Sequence, residues 1–228
     1  EHLKAVYYNS PNDIEVIYYL GLSYAGVGEH GLAADAYKRI ESIDDKKAKD
    51  VYEVGKLYYN IGIAYQKKRD AENALSFYNR SIKIEPEQGS AYCRRGELLF
   101  DRKDYAGALD NFKICDQRVP GDARVRRYIV SSRLARGVAF AGDKKYDEAL
   151  VEFKKAALLD PKNENALYLQ GYLHYQTASF KQALEVLTQL RSPEAAEIAE
   201  NLPLLLQNIA VELQTREDFA GAEKALTH

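Results

Sequence analysis

Apolar and polar positions along the chain recur in one frame. The segments "IYYLGLSY" (17–24), "YYNIGIAY" (58–65), "YCRRGELL" (92–99), "RLARGVAF" (133–140), "LYLQGYLH" (167–174) and "LLQNIAVEL" (205–213) align on Gly21, Gly62, Gly96, Gly137, Gly171 and Ala210. Twelve residues beyond each stands alanine: Ala33, Ala74, Ala108, Ala149, Ala183 and Ala222. Sixteen beyond stands a large apolar residue: Tyr37, Tyr78, Phe112, Phe153, Leu187 and Leu226. Proline closes three copies twenty-four beyond, at Pro86, Pro120 and Pro161. Such columns predict two antiparallel helices per copy. Small residues facing each other let the backbones approach, and the large residue fills the space beside that contact. Proline ends the second helix and re-aims the chain.

The spacing resembles the tetratricopeptide repeat, whose W-x2-L-G-x2-Y, A and P pattern returns about every 34 residues. Ile17, Leu20, Gly21 and Tyr24 match it, as do Tyr58, Ile61, Gly62 and Tyr65. The resemblance implies an all-α solenoid, a right-handed superhelix of antiparallel hairpins, over 14–228. Its repeats are expected at about 14–47, 55–88, 89–122, 130–163 and 164–197, with a partial one at 203–228. Residues 1–13 read as the last helix of a preceding repeat. An opening at Glu1 and the lack of any methionine fit a fragment or processed form.

The frame distances are 41, 34, 41, 34 and 39, so the second, fourth and sixth copies carry about two extra helical turns before their first helix. Neither "DDKKAKDVYEVGKLYYNIGIAYQKK" nor "DARVRRYIVSSRLARGVAFAG" contains proline, and each predicts one long helix. In the sixth copy Pro203 is expected to break the extension, leaving "PEAAEIAE" as a short separate helix.

Candidate chemistry changes this picture little. Gly26, Gly28 and Gly31 spell G-x-G-x-x-G, but a dinucleotide fingerprint follows a strand, and here a helix precedes it. The glycines are therefore expected to form a hairpin turn. His2, His30, His174 and His228 gather into no metal or catalytic set, and His174 takes a packing column shared with Tyr24, Tyr65 and Phe140. Acidic pairs at 44–45 and 147–148 stand where helix N-termini are expected, as caps. Cys93 and Cys115 read as two reduced thiols rather than a disulfide or zinc site. No catalytic residue, metal or cofactor is expected. A net charge of −2 favours neither nucleic acid nor an anionic membrane. The longest apolar runs fall far short of the roughly 18–20 residues that span a bilayer. Localisation is not legible.

What remains is surface. In the family that the frame resembles, first helices line a concave groove that holds a peptide or helix of another protein. The matching columns contain Tyr18, Tyr19, Tyr59, Asn60, Arg94, Phe100, Tyr168, Tyr172 and Tyr175, the candidate partner-binding residues. Tyrosine offers rigid contact area and a hydroxyl at low rotamer cost. Of the five donors by which relatives grip a chaperone's C-terminal tail, only Asn60 and Arg94 fit, which argues against that ligand. Arg126, Arg133 and Arg136 share a helical face and form a candidate patch for an acidic partner. Glu97, Asp101 and Asp104 are the internal acids expected to compete for the arginines around it. The function expected is a non-catalytic scaffold or adaptor. Its alternative is a structural or self-assembling module whose groove buries another copy or the rest of its own chain.

Overall fold

The computed structural model describes residues 7–190 and 193–227, and in it each copy of the frame is a pair of helices joined by a tight turn. Two compact units divide at Asp122 and Ala123. The first contains α1 (Ile14–Gly26), α2 (His30–Ile43), α3 (Asp45–Asp50), α4 (Val54–Lys67), α5 (Ala71–Ile84), α6 (Gly89–Asp101) and α7 (Tyr105–Arg118). The second contains α8 (Ala123–Gly142), α9 (Tyr146–Leu159), α10 (Glu164–Gln176), α11 (Phe180–Leu187), α12 (Ala196–Thr215) and α13 (Phe219–Leu226). The fold is an all-α solenoid of hairpins, with no strand among the described residues. Of the helix expected over 1–13, residues 1–6 lie outside the described residues and 7–9 are helical. His2 and His228 also lie outside them.

In the first five copies the frame glycine receives the large residue of the second helix directly. A Cβ on Gly21 would meet the Tyr37 ring at 2.4 Å, one on Gly62 the Tyr78 ring at 2.5 Å, and one on Gly137 the Phe153 ring at 2.5 Å. The large residue thus lies directly on the glycine, and the alanine column is buried as expected. Leu226 departs from its column, since its side chain lies in solvent.

The turn after each first helix has one geometry. Seven residues past the frame position the chain enters the left-handed region, at Gly28 (φ 84°), Arg69 (61°), Lys103 (64°), Lys144 (61°), Ala178 (56°) and Glu217 (63°). The next residue's N–H then reaches back five residues, as from Asp104 to the Leu99 carbonyl at 2.9 Å, a Schellman closure. Asp70, Asp104 and Asp218 go on to cap the second helix. The G-x-G-x-x-G string is this turn in the first copy. Asp44 caps α3 as expected, and Asp147 and Glu148 lie in the first turn of α9.

Two of the three expected extensions differ. In the second copy the chain breaks at 51–53, where Glu53 adopts φ 46°, so α3 is a separate six-residue helix. With the chain bent there, α3 places fully buried Ala48 in the core that also holds Val54. The fourth copy keeps its extension as the 20-residue α8. In the sixth copy Pro203 does not break the helix; it lies inside α12. Its exposed side permits this, because the Ala199 carbonyl that loses its partner is also at the surface. Buried Ile198, Leu202, Leu205, Leu206 and Ile209 pin both halves of α12 to one core. Glu164 fixes the start of α12 from outside, its carboxylate accepting the Glu194 and Ala195 N–H groups at 2.8 and 2.9 Å.

The cysteines also differ from expectation. Cys93 of α6 and Cys115 of α7 are joined by a disulfide, with Cα atoms 5.1 Å apart. Their columns face each other inside one hairpin, a closeness that two residues 22 apart do not reveal without the helix pairing.

Candidate functional site

First helices supply the candidate surface, and within each unit packing claims part of it. On α1, Tyr18 packs at a tilt against Tyr52 of the α3–α4 connection (ring centroids 4.8 Å) and belongs to the edge of the first core. Its neighbour Tyr19, set edge-on to it at 5.4 Å, is half exposed. On α4, Tyr59 lies against the Tyr78 ring at 5.9 Å, and Asn60 points to solvent. On α6, the Arg94 guanidinium donates to Glu97 at 2.9 Å. Burial works to lower its pKa, but Glu97 outweighs that and holds it up, with Tyr59 helping. Phe100 turns edge-on to Tyr105 inside its own hairpin, 5.5 Å away.

In the second unit, Tyr168 and Tyr172 on α10 stack nearly parallel (6.2 Å, 14°). Tyr168 rests on the α11–α13 core, and burial pushes its hydroxyl pKa up. Tyr172 is 40% exposed, its hydroxyl accepting from Gln176 Nε2 at 2.7 Å. Tyr175 lies against Phe180 at 5.8 Å. The stripe therefore has an inner row that packs and an outer set that faces solvent: Tyr19 and Asn60 in one unit, Tyr172 in the other.

The buried columns behave as packing predicts. Tyr37, Tyr58 and Tyr78 are fully buried, and burial raises each hydroxyl's pKa, that of Tyr37 to about 12. Tyr58 donates to Glu41 and Tyr78 to Gln66. His174 is buried, and desolvation followed by nearby Lys154 lowers its pKa.

The arginine patch resolves into two arrangements. Arg133 and Arg136 both converge on Glu152, at 3.0 and 3.6 Å, and the Glu152 side chain is only 6% exposed. Arg136 also lies over the Phe140 ring, 5.2 Å from its centroid. Arg126 is exposed and does not share this acid. In the third copy, Arg95 donates to Asn111 at 2.6 Å and to Asn79 at 2.8 Å, with Tyr92 beneath it. The internal acids are thus not those expected, except that Glu97 takes Arg94; Asp104 is spent on its cap. Glu152 was missed, although a signal exists. Fifteen past the frame the column reads Ala36, Phe77, Asn111, Glu152, Val186 and Ala225. It turns polar in the two copies whose residue before the frame glycine is arginine.

Among the described residues no group of three metal-binding side chains occurs, and no helix is long and apolar enough to cross a membrane.

Residues 55–88, the second copy, match the family model of the tetratricopeptide repeat. Over 206 residues the chain is 24% identical to the BBSome complex member BBS4 of Bos taurus, covering 90% of this chain and 36% of that protein. Over 123 residues it is 29% identical to anaphase-promoting complex subunit 7 of Arabidopsis thaliana, covering 54% of this chain and 20% of that one. The chain thus spans about a third or less of the curated relatives it matches. Among solved structures, Naa15/Naa10 bound to HypK-THB superposes with a TM-score of 0.53 at 16% identity, over 98% of this chain and 32% of that one. That likeness is one of fold.

Proposed function

We propose that this chain, a tetratricopeptide-repeat protein, acts as a scaffold or adaptor that seats an apolar or amphipathic peptide or helix of a partner against the tyrosines of its first helices. Repeats of this kind generally mediate protein–protein interaction without catalysis. The observation that carries the finer reading is the Tyr168–Tyr172 stack: packing consumes Tyr168 and leaves the Tyr172 ring 40% exposed and braced by Gln176. A rigid, half-exposed ring of this kind suits a binding anchor. In the first unit Tyr18 packs and Tyr19, edge-on to it, stays half exposed. Two relatives are named as members of multisubunit assemblies, which agrees with this reading. Tyr19→Ala and Tyr172→Ala are expected to weaken partner capture by roughly 2 kcal/mol where the ring is an anchor. Undiminished capture by the double variant overturns the groove.

A self-assembling module is the second reading. It is favoured by exposed Leu204, Val211, Phe219 and Leu226 on the last hairpin, at 61, 53, 68 and 59%. Light scattering across a concentration series separates the two, since a monomer at high concentration removes self-assembly.

A further inference from the structure

The two additional turns of α8 build a cavity. One wall is the α8 face of Arg126, Arg127 and Val130; the other is the α9–α10 connection with Leu159, Asp160 and Asn163; the volume is about 500 Å³. That size is in the range that takes a few side chains of a ligand. Both arginines are exposed, and neither has an ion pair among the described residues, whereas Arg102, Arg118, Arg133 and Arg136 each pair with a glutamate. Their position is also unfavourable for the helix. The N-terminal end of α8 carries no acid in its first turn, and positive charge there opposes the helix dipole.

The opposite wall is prepared differently. Asp160 is its single acid, and Oδ2 is occupied by Asn163 Nδ2 at 3.2 Å, while Asn163 Oδ1 caps α10 through the Ala166 N–H at 3.0 Å. Leu159 is 39% exposed and Val130 is buried. The cavity thus combines two guanidinium groups without an ion pair among the described residues, one carboxylate fixed by Asn163, and an apolar floor.

We propose that this cavity docks an acidic segment of a partner protein, with a carboxylate against Arg126 and Arg127 and an adjoining apolar side chain against Val130 and Leu159. Guanidinium groups match carboxylates in bidentate geometry. Nucleic acid fits less well, because its binding draws on many phosphate contacts and only two cations line this cavity. The inference rests on the proposed protein-binding function but uses none of the tyrosines.

Fluorescence anisotropy tests it on the whole chain with a labelled peptide of alternating glutamate and leucine. Its glutamine counterpart and a single-stranded oligonucleotide serve as comparisons. The glutamate peptide is expected to bind, more weakly as salt rises, and the glutamine peptide to bind less. Arg126→Gln with Arg127→Gln should weaken the complex about tenfold by removing both charge contacts. Glutamine is a good helix former at these exposed positions, so the melting temperature should hold. Leu159→Ala should weaken the same complex through the apolar contact alone. Three results overturn the proposal: no binding of the glutamate peptide, undiminished binding by the arginine variant, or preference for the oligonucleotide. Tyr19→Ala with Tyr172→Ala should leave this peptide unaffected, so failure here and failure of the tyrosine groove are told apart.

Discussion

Arg133 of α8 and Glu152 of α9 meet at 3.0 Å, with the carboxylate side chain 6% exposed and Arg136 bound to its other oxygen. One buried anion thus holds two cations between the helices of a hairpin. Removing the anion leaves both uncompensated, so Glu152→Ala should cost about 3 kcal/mol. Replacing all three by aliphatic residues should cost far less, since desolvation of the charges disappears with them. Urea unfolding of the two variants measures this; equal losses would refute it.

Frame glycines are predicted to be intolerant where neighbouring glycines are not. Gly62→Ala places a methyl 2.5 Å from the fully buried Tyr78 ring and should cost roughly 1–3 kcal/mol. Gly31→Ala, in α2 with nothing within 4 Å, should stabilise by about 0.5–1 kcal/mol through helix propensity. Thermal melts of the pair give opposite signs if the ring contact governs the hairpin.

The left-handed turn residue gives a third test. Ala178 holds φ 56°, a region that penalises its Cβ, so Ala178→Gly should stabilise by about 0.5–1 kcal/mol. Gly28→Ala, at φ 84°, should lose a similar amount. A destabilising Ala178→Gly would show that the turn differs from that of the first copy.

Burial lowers the pKa of His174 below its ordinary 6.5. The unfolded chain therefore binds a proton at a higher pH than the folded one, and stability falls as pH drops through about 6.5 and below. His30 shifts the same way and adds to this loss. His174→Tyr, the residue of the first two copies in that column, should flatten the stability profile between pH 7.5 and 5.5. Denaturant midpoints measured across that window check it, and an unchanged slope would clear His174 of the effect.

The Cys93–Cys115 bond closes a loop over a separation of 22 residues. Constraining the unfolded chain to that extent is worth about 3 kcal/mol. Melting with and without dithiothreitol should show the difference, and Cys115→Ser should abolish it.

The sequence by itself determined the hairpins. The periodicity of alanine, glycine and bulky residues specified helix pairs because those columns interact within about thirty residues of chain, where local geometry dictates which faces meet. Turn position, caps and the burial of Tyr37, Tyr78, Phe112 and Phe153 followed from the same spacing. Only the tertiary structure decided how the columns were used. Pro203 stays in α12, both halves of which share one core, and the second extension bends at Glu53 with Ala48 buried in the first core. Tyr18 packs while adjacent Tyr19 faces solvent, since neighbouring positions on one helix point apart; Tyr168 and Tyr172, four apart on one face, differ because the core reaches only the first of them. Glu152 claims Arg133 and Arg136 across a helix pair and leaves Arg126 beside a cavity. Which charges are satisfied and which rings stay open depends on side chains meeting across helices, and distances of that kind are set by packing rather than by spacing along the chain.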